Sequence, residues 1–357
     1  MRRLGKLGIA GIWATGFAAA LAGSAIWILL GRPDQDTREQ AVAAAPTPGP
    51  ASKARDRSNP SAKSARQSRL DAEGADASTS VGTTPPGGEY ADPQAIAQRF
   101  SAELSRLAKH GKAPTPVELF QQAESAKTCT VVPLPDPGQK LSPEAIYARA
   151  RSGVVVVGAV FQSKSQRHKH SALATGFVIH KDGVIVTNYH VLEAFQHSRA
   201  VGAMTEDGRV LAIKSVLAAD SLTDLAVIKA DATNLTPLPI AAGAPVGAAI
   251  YCLSHPALDT EETETAFYTF TQGIVCGKFR LRVTDPTPVD VLAITADYAK
   301  GSSGGPILNE HGAVVGIICQ TRALFHDEDE SEPLLTWKFS RPSSSLLALL
   351  NAPAKAK

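Results

Sequence analysis

The chain has 357 residues, enough for one sizeable folded domain with further segments attached to it. Its 36 basic and 34 acidic residues leave a net charge of +2, so no global charge excess indicates nucleic-acid binding. The hydrophobic fraction of 44% is ordinary and is sufficient for a packed core.

Residues 1–31 are predicted to be a membrane anchor or a secretion signal. Three basic residues, Arg2, Arg3 and Lys6, precede an almost uncharged apolar run over residues 7–30. A run of about 24 residues is long enough to cross a bilayer of roughly 30 Å, and it is longer than the apolar segment of most cleavable signals. We therefore expect an uncleaved single-pass anchor, with small residues near position 22 keeping cleavage as the alternative. The basic flank places the rest of the chain on the periplasmic or extracellular side.

A linker and a helical leader are predicted before the main domain. Residues 32–90 are rich in Ala, Ser, Pro and Gly and poor in large apolar residues, which predicts a disordered linker. In the leader, residues 91–141, apolar residues recur at steps of three and four from Ile96 to Leu107. This pattern predicts an amphipathic helix that Asp92 caps, and a second short helix is expected over 116–126. Two roles stay open for the leader, a docking or oligomerisation element and an irregular extension.

The main domain, residues 142–352, has signals that are nearly all β. Ser142 and Pro143 predict a capped helix at its start, and residues 343–350 predict a closing helix. Between them, apolar or alternating runs predict strands at 154–161, 174–179, 184–187, 210–216, 225–229, 248–253, 267–275, 291–295, 306–308, 313–319 and 335–339. This spacing predicts an all-β barrel or double barrel rather than an alternating α/β domain.

The cysteines and two polar clusters do not predict a metal site. Cys129, Cys252, Cys276 and Cys319 form no CxxC pair, so each is expected to be a small buried hydrophobe or half of a disulfide. The basic cluster at 166–170 and the acidic cluster at 326–332 are interpreted as solvated loops.

Three short segments carry residues suited to nucleophilic catalysis: TNYHVL around His190, SLTDLAVIK around Asp224, and GSSGGP around Ser303. A serine hydroxyl is a weak nucleophile until a base takes its proton, and a carboxylate must orient that base. Histidine suits the base because its pKa lies near neutrality. Residues 301–305 also match the nucleophile elbow G-x-S-x-G, but a strand follows them and no suitable histidine does, so that alternative is rejected.

These segments resemble the trypsin-like (chymotrypsin-fold) serine proteases, and within them the bacterial HtrA/Deg branch. That family carries ATGF or GSGF, then TNxHV, TDLAVxK, GxSGGP and a GxVVGI strand. The matching segments here are residues 174–177, 182–191, 223–229 and 301–317, and the resemblance covers residues 142–350. It implies a double six-stranded β-barrel with the catalytic residues in the cleft between the barrels.

The resemblance also implies roles for individual residues. His190 is expected to be the general base, Asp224 the carboxylate that orients it, and Ser303 the nucleophile. The backbone N–H groups of Gly301 and Ser303 would form the oxyanion hole, with no cofactor or metal. Asp297 has the spacing from Ser303 of the aspartate in the specificity pocket of trypsin, so a buried carboxylate there would favour Lys or Arg substrates.

At two points the sequence departs from the family pattern, and each limits which modes of activation can be expected of this chain. Ser302 stands where vertebrate digestive relatives have an aspartate that pairs with a freshly cut N-terminus, so that mode of zymogen activation is not expected. HtrA relatives usually carry a PDZ domain after the protease, whereas this chain ends at Lys357, so activation by peptides bound to such a domain is not expected.

The sequence therefore predicts a membrane-anchored serine endopeptidase that cleaves proteins or peptides through an acyl-enzyme intermediate. One alternative is a catalytically silent protease-like binding scaffold. Another is a latent enzyme in which the leader over 92–126 covers the cleft. The oligomeric state is left open.

Overall fold

The computed structural model describes residues 91–110, 113–161, 171–259, 264–282, 286–325 and 333–350. The predicted anchor and linker, and the polar clusters at 166–170 and 326–332, lie outside these ranges. Within them, no helix is both long and apolar enough to span a membrane.

Three helices precede the strands: α1 (Pro93–His110), α2 (Pro116–Ser125) and α3 (Pro143–Ala150). The predicted caps are formed. The Asp92 carboxylate accepts from the N–H groups of Gln94 and Ala95 at 3.0 and 3.1 Å, and the Ser142 hydroxyl accepts from Ala145 N–H at 3.3 Å. These bonds satisfy N–H groups that the first turn of a helix leaves without partners.

The first barrel closes through antiparallel pairing of its first and fourth strands. Its members are β1 (Val154–Val160), β2 (Ser171–His180), β3 (Val184–Thr187), β4 (Ala200–Met204), β5 (Val210–Asp220) and β6 (Leu225–Ala230), in the order β1-β2-β3-β6-β5-β4. A short helix, α4 (Tyr189–Phe195), follows β3 directly.

The second barrel repeats this arrangement. Its strands are β7 (Ala249–Ser254), β8 (Thr269–Leu281), β9 (Val289–Ile294), β10 (Pro306–Leu308), β11 (Val314–Phe325) and β12 (Pro333–Pro342), in the order β10-β11-β12-β9-β8-β7. Pairing of β10 with β7 closes it, and α5 (Ser343–Leu349) follows β12. The predicted double six-stranded barrel is therefore confirmed.

The two barrels share a packed apolar interface. Buried side chains from both meet in one cluster that includes Phe177, Val186, Leu225 and Val227 of the first barrel and Tyr251, Leu253, Leu308 and Ile317 of the second. Because interiors of this kind are close-packed, the interface fixes the positions of two strand ends of the first barrel, β3 and β6, relative to those of β10 and β11 in the second.

Strand β4 was missed by the sequence analysis, and β8, β11 and β12 extend further than predicted. Residues 200–204, AVGAM, contain Ala and Gly, which have weak strand propensity, yet all five are buried between β1 and β5. The extensions of β11 and β12 consist largely of exposed residues that pair with each other, so no apolar pattern marks them.

The leader helices pack against the first barrel. Ile96, Phe100 and Leu104 of α1 join a buried cluster with Val156 and Met204. On α2, Leu119 and Ala123 are buried in the core cluster of the first barrel, and Phe120 contacts the Tyr189 ring of α4 with centroids 5.8 Å apart.

Candidate active site

His190 lies in the first turn of α4, immediately after β3. The chain leaves the strand at Thr187 and passes through Asn188, which is fully buried. The side-chain amide of Asn188 donates to the backbone carbonyl of Asp224 at 2.8 Å, so it ties the start of α4 to the β5–β6 turn. The His190 side chain is 43% exposed and therefore accessible from solvent.

The Asp224 carboxylate holds His190 through two hydrogen bonds. Its Oδ2 lies 2.8 Å from His190 Nδ1, and its Oδ1 accepts from the His190 backbone N–H at 2.9 Å. A carboxylate at Nδ1 favours the tautomer with the proton on Nδ1, which leaves Nε2 free to accept one. The nearby Asp220 has a different task, because its carboxylate accepts from Leu222 and Thr223 within the turn.

The two partners shift each other's pKa. Burial works against the charged form of His190, but the hydrogen bond and negative charge of Asp224, with a smaller effect of Glu193, raise the His190 pKa above its ordinary value of 6.5. Burial likewise disfavours the charged form of Asp224, yet the hydrogen bonds and charge of His190 lower the Asp224 pKa. The pair therefore favours a carboxylate beside a histidine that readily accepts a proton.

Cys319 is a third partner of this pair that the sequence analysis missed. Its Sγ lies 3.0 Å from Asp224 Oδ2. Burial and the neighbouring Asp224 charge raise the Cys319 pKa well above its ordinary value, so the thiol stays protonated and donates to the carboxylate. The available signal was its position two residues after the GxVVGI segment, within the same strand. All four cysteines are free, which removes the disulfide alternative in this structure.

The Ser303 loop separates the two adjacent serines. Ser302 is fully buried, where its hydroxyl accepts from Ser254 at 2.9 Å, and its N–H donates to Ala299 O at 3.0 Å to close a turn. Gly301 occupies the third position of that turn with φ 87°, a conformation that favours glycine. Ser303 follows and is half-buried.

Two N–H groups in this loop are left for an external acceptor. Those of Ser302, Gly304 and Gly305 donate to backbone carbonyls at 2.9–3.0 Å. Those of Gly301 and Ser303 find no acceptor among the residues that the structure describes. These are the two donors that the sequence analysis assigned to an oxyanion hole.

Thr175 connects this loop to the first barrel, a role that sequence reasoning did not assign although it quoted the ATGF segment. Its N–H donates to Ser303 O and its hydroxyl donates to Gly301 O, both at 2.9 Å. The same hydroxyl accepts from His255 N–H at 3.1 Å. Burial of the His255 ring lowers its pKa to about 3, so this anchor is neutral at physiological pH.

The structure brings His190 and Asp224 together but forms no hydrogen bond between the Ser303 hydroxyl and the His190 ring within its described part. Such a bond is often long in the absence of substrate and shortens when the complex forms.

The Asp297 carboxylate, whose burial would have favoured Lys or Arg substrates, is exposed in this structure. Its side chain is 88% exposed, with the Lys338 ammonium 3.8 Å away. The buried side chain here is the next one, Tyr298, whose hydroxyl oxygen lies 2.9 Å from both Gln320 O and Phe339 O and can donate its one proton to either. A tyrosine ring whose hydroxyl is hydrogen-bonded can be buried at little cost, whereas a carboxylate without such partners keeps its hydration.

Two closed six-stranded barrels, with a His–Asp pair on one and a glycine-rich serine loop on the other, define the class of trypsin-like proteins. Residues 174–317 match the family model described as "Trypsin-like peptidase domain". The matched residues include the segments of His190, Asp224 and Ser303, so this part of the chain is similar to a trypsin-like peptidase domain.

Within this class, the curated relatives that the chain resembles are serine proteases of the HtrA/Deg type. The chain is 36% identical over 163 residues to a "Probable periplasmic serine endoprotease DegP-like" of Halomonas elongata, which is 44% of this chain and 31% of that protein. It is 30% identical over 148 residues to "Serine endoprotease DegS" of Haemophilus influenzae, which is 41% of this chain and 40% of that protein. A solved structure described as "HtrA-type protease AlgW with tripeptide" shares 22% identity over 59% of this chain and 63% of that chain, with a TM-score of 0.46. The HtrA/Deg resemblance is thus confirmed, and the chain spans well under half the length of these two curated relatives.

Proposed function

We propose that the chain is a serine endopeptidase in which Ser303 is the nucleophile, His190 the general base and Asp224 the carboxylate that orients His190. The observation that carries this proposal is the 2.8 Å contact between His190 Nδ1 and Asp224 Oδ2, on a histidine whose ring remains accessible. The names of the curated relatives, which are serine endoproteases, support the same activity.

The proposed reaction uses these groups in two half-reactions. His190 Nε2 takes the Ser303 hydroxyl proton as Oγ attacks the peptide carbonyl, and the same proton then passes to the leaving amine as the C–N bond breaks. Water attacks the resulting ester with His190 again acting as base, which releases the acid and restores Ser303. Asp224 keeps the Nδ1 proton in place and stabilises the imidazolium that forms in each half.

The negative charge on the carbonyl oxygen would be received by the N–H groups of Gly301 and Ser303. Their lack of other acceptors among the described residues supports this role. Donors that are already oriented need no rearrangement in the transition state, and the loss of one typically costs about 3–4 kcal/mol.

The proposed substrates are proteins or peptides. A preference for Lys or Arg beside the cleaved bond is not supported by Asp297, because its carboxylate is exposed.

Two observations favour a location of the protein outside the cytoplasm. Its N-terminal sequence is basic and then apolar, and the Halomonas elongata relative is described as periplasmic. Protease treatment of spheroplasts, which digests only outward-facing domains, would test this location.

The activity is tested by labelling the folded full-length protein with a fluorophosphonate and by measuring cleavage of an unstructured protein. We expect the wild type and Ser302→Ala to be labelled, and Ser303→Ala to lose both labelling and at least ~1,000-fold of its cleavage rate. Ser302→Ala is the matched control because it removes the adjacent hydroxyl in the same loop.

A folded wild-type protein that neither reacts with the label nor cleaves would contradict the proposal. That result would favour the silent scaffold, for which the absence of a Ser303–His190 hydrogen bond in the described structure is the supporting observation.

A further inference from the structure

Helix α1 contacts the connection between β7 and β8 as well as the first barrel. The described parts of this β7–β8 connection are two arms, residues 255–259 and 264–268. The Gln94 side-chain amide of α1 donates to the Glu264 carboxylate at 3.0 Å. The Phe267 side chain packs against the buried cluster that α1 forms with the first barrel, and also against the apolar interface between the barrels. The leader is therefore joined to a loop of the second barrel.

The two arms of the connection are joined to each other. Ala257 and Thr265 form an antiparallel backbone bridge, and Thr265 is buried. The centroid of the Phe267 ring lies 5.7 Å from that of the His255 ring, which is fully buried. Because buried groups are close-packed, a change in the position of Phe267 is transmitted to His255 and Ala257.

The first arm determines the direction of the Gly301 N–H group. The Ala257 N–H donates to Lys300 O at 2.7 Å. The peptide bond between Lys300 and Gly301 is planar and trans, as is general for bonds that do not precede proline, so its C=O and N–H point in opposite directions. With Lys300 O held toward Ala257, the Gly301 N–H points away from the connection. His255 O also lies against Gly301, because a Cβ on that glycine would approach it to 2.5 Å.

We propose that α1 positions the Gly301 N–H for catalysis by holding the β7–β8 connection against the Ser303 loop. This inference rests on the proposed function, in which that N–H receives the negative charge of the carbonyl oxygen. Phe267 is the positioning residue, since it contacts both the cluster of α1 and the His255 ring. An oxyanion donor is effective when it is oriented before the reaction, so the docked leader raises kcat instead of covering the cleft.

The kinetics of Phe267→Ala in the full-length protein test this role. We expect kcat to fall about tenfold, because small displacements of a catalytic group are costly. KM should stay nearly unchanged, because the charge that Gly301 stabilises develops only in the transition state. Phe267→Leu keeps an apolar contact and should stay within about twofold of the wild type. Steady-state cleavage of an unstructured peptide measures both constants.

Val160→Ala is the matched control for a general loss of packing. Val160 is buried in the same cluster as α1, but it lies on β1 and pairs with β2 and β4. Its truncation should lower the free energy of unfolding and leave kcat within about twofold of the wild type. An unchanged or increased kcat in Phe267→Ala, a change confined to KM, or an equal fall in Val160→Ala would overturn the proposal.

If Phe267→Ala does not fold, a charge change on the exposed side of α1 takes its place. Gln94→Glu sets a second carboxylate beside Glu264, so like charges push α1 and the connection apart. Because surface charge pairs are weak, kcat should fall only about twofold, and adding Glu264→Gln should restore it. Equal kcat in Gln94→Glu and the wild type, or no recovery in the double variant, would overturn the proposal.

Hydrogen exchange in the Ser303→Ala background reports on the loop without any cleavage. Peptides that cover residues 297–304 should exchange about tenfold faster in Phe267→Ala and at the parent rate in Val160→Ala, because the loop opens more often when the connection is loosened. Unchanged exchange in Phe267→Ala would overturn the positioning role even in an active enzyme. Faster exchange in a protein whose wild type does not cleave would support the positioning role and contradict only the proposed activity.

Discussion

At the residue scale, Asp224 is held in a left-handed backbone conformation, with φ 55°. Non-glycine residues adopt this region infrequently, and aspartate is one of the few that tolerate it. The Asn188 amide holds the Asp224 carbonyl, and the Asp220 carboxylate closes the turn before it. This turn directs both Asp224 oxygens toward His190, so backbone strain is used here to position a functional group.

The raised pKa of His190 predicts the pH dependence of cleavage. The general base must be neutral, so kcat/KM should rise with pH through a pKa above the ordinary value of 6.5. Asp224→Asn removes the charge that raises this pKa, so the rise should move to lower pH while kcat falls by about 10⁴-fold. Peptide cleavage measured across pH checks both the position of this rise and the fall in kcat. A pH dependence of kcat/KM that is unchanged in Asp224→Asn would argue against the pairing of Asp224 with His190.

The hydrogen bond from the Cys319 thiol offers a second test of the His190–Asp224 pair. Cys319→Ala removes a donor from Asp224 Oδ2, which should raise the Asp224 pKa and lower kcat by about tenfold with KM nearly unchanged. Cys319→Ser keeps a donor at that position and should restore kcat. Steady-state kinetics of the two variants are the measurement, and equal losses in both would indicate that Cys319 acts only through packing.

At the element scale, the Ser303 loop is shaped by close approach to both barrels. A Cβ on Gly301 would lie 2.5 Å from His255 O in the second barrel. A Cβ on Gly304, with φ 84°, would collide with Thr175 and Thr187 of the first barrel. The glycines therefore let the loop lie between the barrels, with the N–H groups of Gly301 and Ser303 left without an acceptor among the described residues.

The leader helices α1 and α2 pack on the outside of the first barrel and contribute to its buried core. The Phe100 ring is fully buried, and it occupies the space in front of Gly158 of β1. With α1 and α2 in place, the His190 side chain remains 43% exposed, so the described leader does not cover that ring. This argues against the alternative of a latent enzyme whose cleft is closed by residues 92–126.

Phe100→Ala should therefore destabilise the protein rather than activate it. Removal of a buried phenylalanine ring typically lowers the free energy of unfolding by about 3–5 kcal/mol. Chemical denaturation of the full-length chain measures this loss, with Arg106→Ala on the exposed face of the same helix as a control expected within ~0.5 kcal/mol of wild type. A large increase of kcat/KM in Phe100→Ala would instead support occlusion by the leader.

At the scale of the whole molecule, the site is assembled from both barrels. The first supplies His190, Asp224 and Thr175, and the second supplies Ser303 and Cys319. The shared apolar interface and the bonds from Thr175 to Gly301 and Ser303 hold the two halves together. Even a small shift between the barrels would change the distance from Ser303 to His190, which makes the packing of this interface part of the proposed catalytic geometry.

Local sequence determined a large part of this protein. Alternating apolar runs, caps such as Asp92 and Ser142, and the spacing of His190, Asp224 and Ser303 depend on residues close together in the chain or on a recurring family pattern. These features predicted the double barrel, the helix starts and the residues of the proposed site.

Tertiary structure alone decided the burial and partners of individual side chains. Asp297 and Tyr298 are neighbours in sequence, yet one is exposed and the other is buried against carbonyls of β11 and β12. Cys319 bonds a carboxylate 95 positions away, and Arg341 is enclosed by strands that no local pattern connects to it. Burial and hydrogen bonding depend on residues brought together by folding, and propensity and periodicity contain no information about those distant neighbours.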